Sequence, residues 1–216
     1  MIKGVIFDMD GLMFDTERLS TKAWLNCGKI LGIDLSIDFI NSFKGRTLAD
    51  SKKLFKARFG NDFDYEKARN IRTQYMVDYI NEKGVPVKKG LLELLNFLKE
   101  SNIPCAVATS TNRELAVWYF EKAGVSKYLS ACVFGDMVHK GKPEPDIFIK
   151  ASEKIGVAYK DCVVFEDSPS GIKAGFSAGM RVIAVADMIP LSKEDLARVD
   201  YCVGSLDVAV GVVKNL

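Results

Sequence analysis

Two carboxylates stand two residues apart at the end of a short apolar run near the start of the chain. Asp8 and Asp10 follow Val5-Ile6-Phe7 and precede Gly11, which allows the backbone to turn. Residues i and i+2 of a strand share a face, so both acids could address one ligand. At the carboxyl end of a parallel strand they would point into the crevice where open α/β sheets bind ligands. Such a pair is as often a turn as a site, so the other predicted strand ends decide between the two.

Three further segments place polar side chains beside apolar runs. Thr109 and Ser110 end one run with hydroxyls that can donate to phosphate oxygens. Lys142 lies in a proline-containing loop before a helical segment, and Glu166 and Asp167 end another run. Taken separately, these residues could be a helix cap, a surface lysine and a capping aspartate. Taken together, acids, hydroxyls and a lysine at successive strand ends favour one site.

Four carboxylates in one crevice would repel one another and any phosphate group unless a dication joined them. A hard cation with oxygen ligands fits, and Mg²⁺ usually takes one or two carboxylates plus phosphate oxygens. One acid can stay ionised as a nucleophile while another is held protonated. A carboxylate nucleophile would form an acyl-phosphate, and the lysine would balance the charge of the phosphoryl group. The residues therefore predict Mg²⁺-assisted phosphoryl transfer.

The composition of the chain argues against several other classes of protein. Its 216 residues carry 30 Lys+Arg against 28 Asp+Glu, so nothing indicates nucleic acid or a membrane surface as a partner. The five cysteines are scattered without a C-x-x-C pair, which argues against a disulfide framework or a structural zinc site. The single histidine, His139, excludes multi-histidine zinc hydrolases. No apolar run is long enough for a membrane span and the first residues turn acidic early, so we expect a cytoplasmic protein.

The candidate residues lie on a chain in which apolar runs alternate with helical periodicity. Near-continuous hydrophobicity within each run predicts strands covered on both faces, and therefore a mostly parallel sheet. The predicted strands are Ile2–Phe7, Pro104–Ala108, Cys132–Phe134, Cys162–Phe165, Val182–Val185 and Tyr201–Val203. We therefore predict an α/β fold with a doubly wound, Rossmann-like sheet. At the start of one covering helix, Thr111 and Glu114 predict a capping box.

One stretch, from about Thr16 to Lys83, interrupts the alternation. It shows helical spacing without a convincing strand, and one of its helices is suggested by Leu48, Leu54, Phe55 and Phe59. Too many helices follow one another for all of them simply to cover the sheet. We therefore predict an all-helical cap domain at 16–83, inserted into a catalytic core formed by 1–15 and 84–216.

The four motifs, in this order, resemble those of the haloacid dehalogenase superfamily, in its phosphatase branch with a helical cap after the first strand. The resemblance covers essentially the whole chain. It implies that Asp8 is the nucleophile, and that Asp10 protonates the leaving group and later activates water. It also implies that Thr109 and Ser110 hold the transferring phosphoryl group and that Lys142 neutralises its charge.

The same resemblance implies a magnesium site. Its ligands would be Asp8, the backbone carbonyl of Asp10, and Asp167, with Glu166 supporting them. The acid at position 10 also bears on the reaction, because the dehalogenases of the superfamily lack an acid there. Cleavage of a carbon–halogen bond is therefore disfavoured.

The chain also looks like the β-phosphoglucomutase-like subgroup, which contains both sugar-phosphate phosphatases and a true mutase. The matching segments are Asp8–Leu12, Asp15–Leu19, Gly141–Pro143 and Phe165–Ser168. The mutase has a histidine where this chain has Ser20, and its cap arginine falls on Leu48, with Arg46 nearby. A mutase must keep its aspartyl-phosphate from water, and losing the histidine puts that control in doubt. Hydrolysis is therefore the primary prediction and sugar-phosphate isomerisation the alternative.

The substrate is predicted only by class. We expect a small phosphomonoester, either a sugar phosphate or a nucleoside-type phosphate, because Asp15–Leu19 also resembles nucleoside-monophosphate-type phosphatases. Lys44 and Arg46 could contact substrate hydroxyls or a second anionic group, or only solvate a surface loop. We expect a monomer.

Two other classes of protein share part of this pattern. A phospho-accepting receiver module also uses an aspartate with nearby acids, a hydroxyl residue and a lysine, but it needs neither the helical insertion nor Asp10.

The segment 175–179 matches the G-x-S-x-G elbow of serine hydrolases. It stands at the end of a helical segment, and His139 precedes it instead of following it, so we reject a serine hydrolase.

Overall fold

The structure is a computed structural model that describes residues 2–44 and 47–216. The chain divides into two compact units, one formed by 1–15 with 85–216 and the other by 16–84. Among the described residues, no helix is both long and apolar enough to cross a membrane.

The larger unit is built on a parallel sheet. Its strands are β1 (Gly4–Phe7), β2 (Cys105–Thr109), β3 (Ala131–Phe134), β4 (Cys162–Glu166), β5 (Arg181–Val185) and β6 (Tyr201–Val203). All six predicted strands are present, with bounds that differ by no more than two residues. Strands β1, β2 and β4 are buried along their whole length, which explains their continuous hydrophobicity.

The order of the strands creates a crevice at one edge of the sheet. The order is β3-β2-β1-β4-β5-β6, and each neighbouring pair is parallel. The direction of winding reverses between β1 and β4, and ligands of doubly wound folds bind at the carboxyl ends of the strands at such a reversal. Phe7 lies opposite both Val107 and Phe165, so the residues that follow these three strands emerge side by side.

The smaller unit is helical and has its own aromatic core. Its helices are α1 (Thr16–Leu31), α2 (Ile37–Phe43), α3 (Leu48–Phe59) and α4 (Tyr65–Lys83). The fully buried Phe55 packs its ring against those of Trp24 and Phe43, with centroids 5.2 and 5.1 Å apart. The residues that suggest a helix, Leu48, Leu54, Phe55 and Phe59, all lie in α3. Leu48 stands in its first turn and is 56% exposed.

The remaining helices cover the sheet. They are α5 (Leu91–Glu100), α6 (Arg113–Ala123), α7 (Asp146–Lys154), α8 (Pro169–Ser177), α9 (Lys193–Leu196) and α10 (Leu206–Lys214). The predicted capping box of Thr111 and Glu114 is wrong. Asn112 caps α6 by accepting from the N–H of Leu115 (3.0 Å), while the Thr111 hydroxyl donates to Asp10.

Helix α8 contains the segment that resembles a nucleophile elbow. A Cβ atom on Gly175 would lie 3.0 Å from Val182, so the glycine lets the helix pack closely on the sheet. Ser177 is the last residue of this helix and does not stand on a strand-to-helix turn. The segment therefore lacks the local structure that a serine nucleophile needs.

Candidate active site

Three carboxylates from two neighbouring strand ends lie together in the larger unit. Asp8 follows β1, Glu166 ends β4 and Asp167 follows it, and one oxygen from each lies within 4.8 Å of the others. All three residues are buried, with residue exposures of 8% or less. The N–H of Asp8 donates to the carbonyl of Phe165 (3.0 Å), which continues the β1–β4 pairing up to the cluster. The sheet therefore fixes the backbone positions of these acids.

Lys142 reaches into this cluster from the loop before α7. Its ammonium group donates to Glu166 Oε1 (2.6 Å) and to Asp8 Oδ1, and the side chain is 6% exposed. The same group lies 4.9 Å from the ring centroid of Phe148 on α7, a cation–π arrangement. The loop and the helix together hold a positive charge between two carboxylates.

Glu166 is fully engaged by protein donors. While Oε1 accepts from Lys142, Oε2 accepts from the N–H groups of Asp167 and Ser168 and from the Ser168 hydroxyl, each at 3.0 Å. A Cβ atom on Gly171 would lie 1.7 Å from Glu166 Oε1, so only glycine lets the first turn of α8 approach this carboxylate. These contacts give Glu166 a fixed orientation and make it a supporting group for its neighbours.

Asp167 has a buried oxygen that the described part of the chain leaves without a hydrogen bond. This oxygen is Oδ1. Gly11, with φ +86°, closes over the other oxygen, since a Cβ atom there would lie 2.2 Å from Asp167 Oδ2. A buried carboxylate oxygen that lacks a donor is costly unless a cation binds it. This observation fits the metal that the sequence predicts.

Asp10 is held by the segment that follows β2. The Thr111 hydroxyl donates to Asp10 Oδ2 (2.6 Å), and the Thr111 N–H donates to Thr109 Oγ1 (3.0 Å). Thr109 is 1% exposed, whereas Ser110 between them is exposed. The predicted residues of β1 and β2 are therefore linked through Thr111.

The crowding of charges alters proton affinity in the cluster. Burial, with the Lys142 charge opposing it and the Glu166 charge adding to it, raises the pKa of Asp8 to about 8. Burial, together with the charges of Asp8 and Glu166, raises the pKa of Asp167 to about 9. Burial lowers the pKa of Lys142, but Asp8 and Glu166 outweigh it and hold that pKa above its ordinary value. Carboxyl groups that retain protons at neutral pH can ionise when a dication takes the place of those protons.

Of the two predicted substrate residues of the insertion, Lys44 belongs to the helical unit, and Arg46 lies outside the described residues. Lys44 lines a cavity of about 230 Å³ within that unit, with its Nζ atom 3.9 Å from Glu17 Oε2. Ser20 lies in the same cavity and accepts a hydrogen bond from Arg72 (2.6 Å). The cavity combines these cations with aromatic walls.

Comparison with known proteins agrees with this geometry. The family model described as haloacid dehalogenase-like hydrolase matches residues 5–185, a range that includes Asp8, Lys142 and Asp167. The chain belongs to this family. The resemblance of the four motifs to the haloacid dehalogenase superfamily is therefore confirmed.

Relatives of this haloacid dehalogenase-like hydrolase include named phosphatases. A phosphorylated carbohydrates phosphatase of Thermotoga maritima is 31% identical over 195 residues, covering 84% of each chain. Hexitol phosphatase A of Escherichia coli is 31% identical over 199 residues, covering 90% of this chain and 89% of that one. The predicted enzyme class, phosphoric monoester hydrolase, is confirmed by these matches.

A solved structure has the same overall fold. A Thermotoga maritima protein provisionally assigned as a β-phosphoglucomutase is 29% identical, covers 100% of both chains and superposes with a TM-score of 0.86. The predicted α/β fold and the β-phosphoglucomutase-like resemblance are therefore confirmed for this haloacid dehalogenase-like hydrolase.

Three polar residues at this edge of the sheet, Thr111, Asp187 and Lys88, are not among the site residues that the sequence predicts. The spacing predicts Thr111 as part of a helix cap, whereas its hydroxyl donates to Asp10. Asp187, two residues beyond β5, forms an ion pair with Lys88 (2.7 Å) at the same edge of the sheet. The signal for Asp187 was present, because it is another acid that follows a continuous apolar run.

Proposed function

We propose that the protein is a Mg²⁺-dependent phosphatase of small phosphomonoesters that works through an aspartyl-phosphate on Asp8. The observation that carries the proposal is the buried set of Asp8, Glu166 and Asp167, with Lys142 bonded to two of its carboxylates. Three acids attract a dication, and the dication and the lysine can together bind a phosphate group that the acids alone would repel.

The carboxylates of the cluster differ in how free their oxygens are to bind Mg²⁺. Within residues 2–44 and 47–216, Asp167 has a buried oxygen without a hydrogen bond, and a carboxylate oxygen of Asp8 lies within 4.8 Å of one of Asp167. Both oxygens of Glu166 accept hydrogen bonds from protein groups. We therefore propose Asp8, Asp167 and the backbone carbonyl of Asp10 as the protein ligands, with Glu166 orienting Lys142 and Asp167. When bound, Mg²⁺ would neutralise phosphate oxygens and the carboxylates that hold it.

The first chemical step is assigned to Asp8. Its carboxylate oxygen attacks phosphorus, the bond from phosphorus to the ester oxygen breaks, and an Asp8 acyl-phosphate forms. Lys142 donates to Asp8 and balances negative charge as the phosphoryl group approaches. Thr109 and Ser110, at the end of β2, are proposed to bind the oxygens of that group.

Asp10 is assigned the proton transfers. It gives a proton to the leaving ester oxygen in the first step and takes one from the water that cleaves the acyl-phosphate in the second. The hydrogen bond from Thr111 fixes the orientation of the Asp10 carboxyl group. The sum of both steps is hydrolysis of the phosphomonoester to an alcohol and phosphate.

The helical unit supplies the proposed substrate recognition. The cavity within it contains Lys44, Arg69 and Arg72 beside Ser20 and the ring of Trp24. Such a lining suits the hydroxyls or a second anionic group of a phosphorylated sugar or sugar alcohol. The names of the relatives, which include a hexitol phosphatase and a phosphorylated carbohydrates phosphatase, support this substrate class.

Isomerisation by a β-phosphoglucomutase-type reaction is the second candidate, supported by the structural neighbour with that provisional assignment. Against it stands Ser20, whose hydroxyl is bound by Arg72, at the position where the mutase has a histidine. The family assignment also favours an enzyme over a receiver module.

A metabolite panel tests the proposal. The purified protein with Mg²⁺ is assayed for phosphate release from hexitol, sugar and nucleoside monophosphates, with Asp8→Asn as the inactive control. We expect release from at least one sugar or sugar-alcohol phosphate, loss with a chelator, and no release by Asp8→Asn. Conversion of a sugar 1-phosphate to its 6-phosphate in the presence of a bisphosphate primer, without phosphate release, would favour the mutase instead.

A further inference from the structure

A second lysine contacts the acidic edge of the sheet. Lys88 donates to Asp187 Oδ1 at 2.7 Å, and the two side chains are only 15% and 2% exposed. Removing one partner from an ion pair that is this well shielded from water is destabilising. The neighbouring Lys89 differs, because its ion pair with Asp207 leaves the lysine side chain 79% exposed.

Asp187 stands beside the proposed metal ligands. Strand β5 pairs with β4, and Ala184 lies opposite Glu166. Asp187 follows Ala184 by three residues, so it emerges from the sheet next to the position where Asp167 follows Glu166. The two carboxylates therefore follow neighbouring strand ends at the same edge of the sheet.

The backbone of Lys88 contacts the other side of the site. Its N–H donates to the carbonyl of Met13 (2.9 Å), and the N–H of Asp15 donates to the carbonyl of Pro86 (2.8 Å). Phe14 and Val87 form an antiparallel bridge between these contacts. Segment 86–88, which returns to the larger unit after residue 84, is thus joined to the turn that follows Asp10.

We infer that Lys88 is a positioning residue for the metal site. Its side chain fixes Asp187 beside Asp167, and its backbone joins these carboxylates to the turn after Asp10. The inference rests on the proposed function, because it concerns the Mg²⁺ that the proposed reaction uses. With Lys88 in place, the ligand carboxylates from β1 and β4 keep one arrangement before the cation binds. Without the Lys88 ammonium group, the Asp187 carboxylate loses the hydrogen bond that holds it, and its change of position disturbs Asp167.

Mg²⁺ affinity measured by titration calorimetry tests this role. The variants are Lys88→Met, which keeps the length of the side chain without its charge, Lys88→Arg, which restores the charge, and Asp187→Asn. Lys89→Met is the matched control, since it removes a neighbouring lysine from an exposed ion pair. The thermal unfolding midpoint without Mg²⁺ is measured for each variant.

We expect Lys88→Met and Asp187→Asn to bind Mg²⁺ at least fivefold more weakly than the wild type, and the double variant to be no weaker than the weaker single one. Lys88→Arg is expected to bind within twofold of the wild type, and Lys89→Met to be unchanged. A Lys88→Met protein that unfolds at lower temperature yet binds Mg²⁺ within twofold of the wild type would show a purely structural ion pair and overturn the inference. A wild-type protein that binds no Mg²⁺ would instead overturn the proposed function.

Discussion

The ammonium group of Lys142 lies between Asp8 and Glu166, above the ring of Phe148. Three independent elements meet there: β1, β4 and the loop before α7. Because each carboxylate of the cluster is buried, any negative charge on it has to be balanced locally, and Lys142 supplies the positive charge that directly contacts the proposed nucleophile. At the scale of single residues, the chemistry of the site therefore depends on charge balance more than on any one hydrogen bond.

Replacing this lysine tests the balance. Lys142→Met should lower the rate of phosphate release about 10²–10³-fold, because the charge that stabilises the transferring phosphoryl group is lost. Lys140→Met, at an exposed position two residues earlier, should have the wild-type rate. Steady-state phosphate-release kinetics of both variants check this, and a Lys142→Met enzyme within tenfold of the wild type would contradict the assigned role.

The raised pKa values of the carboxylates predict how stability depends on pH. The pKa of Asp8 rises from 3.8 to about 8 and that of Asp167 to about 9 on folding. Between pH 3.8 and about 9, the folded, metal-free protein therefore binds more protons than the unfolded chain. Its free energy of unfolding should fall as pH rises through this range. Saturating Mg²⁺ displaces the protons and should flatten the slope.

Urea unfolding across this pH range, with and without Mg²⁺, is the measurement. Asp167→Asn serves as the control, because it removes one of the two titrating groups and should have a shallower slope without Mg²⁺. Metal-free stability that increases with pH throughout the window would show that these carboxylates are ionised in the folded protein.

At the scale of elements, the strands and the insertion were predictable because their apolar patterns are strong. The six strands are nearly continuous in hydrophobicity since both faces of the sheet are covered. The sequence pattern does not indicate helix α2, because its seven residues bury only Ile40 and Phe43, too few to show a helical period. Thr111 was misassigned because a hydroxyl followed three residues later by glutamate predicts a cap, while tertiary contact with Asp10 decides its actual partner.

The residues around Lys88 were not predictable for a different reason. Its ion pair joins positions 99 residues apart in the chain, and nothing in the local sequence of a Lys-Lys pair distinguishes the buried lysine from the exposed one. The four site motifs, in contrast, follow strands whose carboxyl ends must share one edge of a parallel sheet. Their proximity is a consequence of the fold class.

The approach of α8 to the sheet gives a prediction for an element. Gly171→Ala places a Cβ atom 1.7 Å from Glu166 Oε1, and that carboxylate is fixed by hydrogen bonds and cannot yield. We expect a loss of about 1–3 kcal/mol in the free energy of unfolding, together with lower activity. Gly211→Ala in α10 meets nothing within 4 Å and should stabilise the protein by roughly 0.5–1 kcal/mol. Urea unfolding of both variants checks the contrast, and equal stabilities would contradict the packing described here.

At the scale of the whole molecule, the fold brings distant parts of the chain to one crevice and places a separate helical unit within the sequence of the larger one. The reversal of strand order sets β1 beside β4, so Asp8 and Asp167 meet although most of the chain separates them. The helical unit has its own aromatic core around Phe55 and contains the cavity to which we assign substrate recognition. This division of labour between a fixed reaction centre and a separate recognition unit is what we propose for the family member described here.

Direct detection of the covalent intermediate tests the central claim. The enzyme is mixed with Mg²⁺ and its best substrate, quenched in acid within the first turnover, digested, and analysed by mass spectrometry with fragmentation that distinguishes Asp8 from Asp10. We predict a phosphoryl group on Asp8 that forms before steady state and is absent from Asp8→Asn. Rapid substrate hydrolysis with no phosphoryl group on Asp8, or with the group on another residue, would contradict the account.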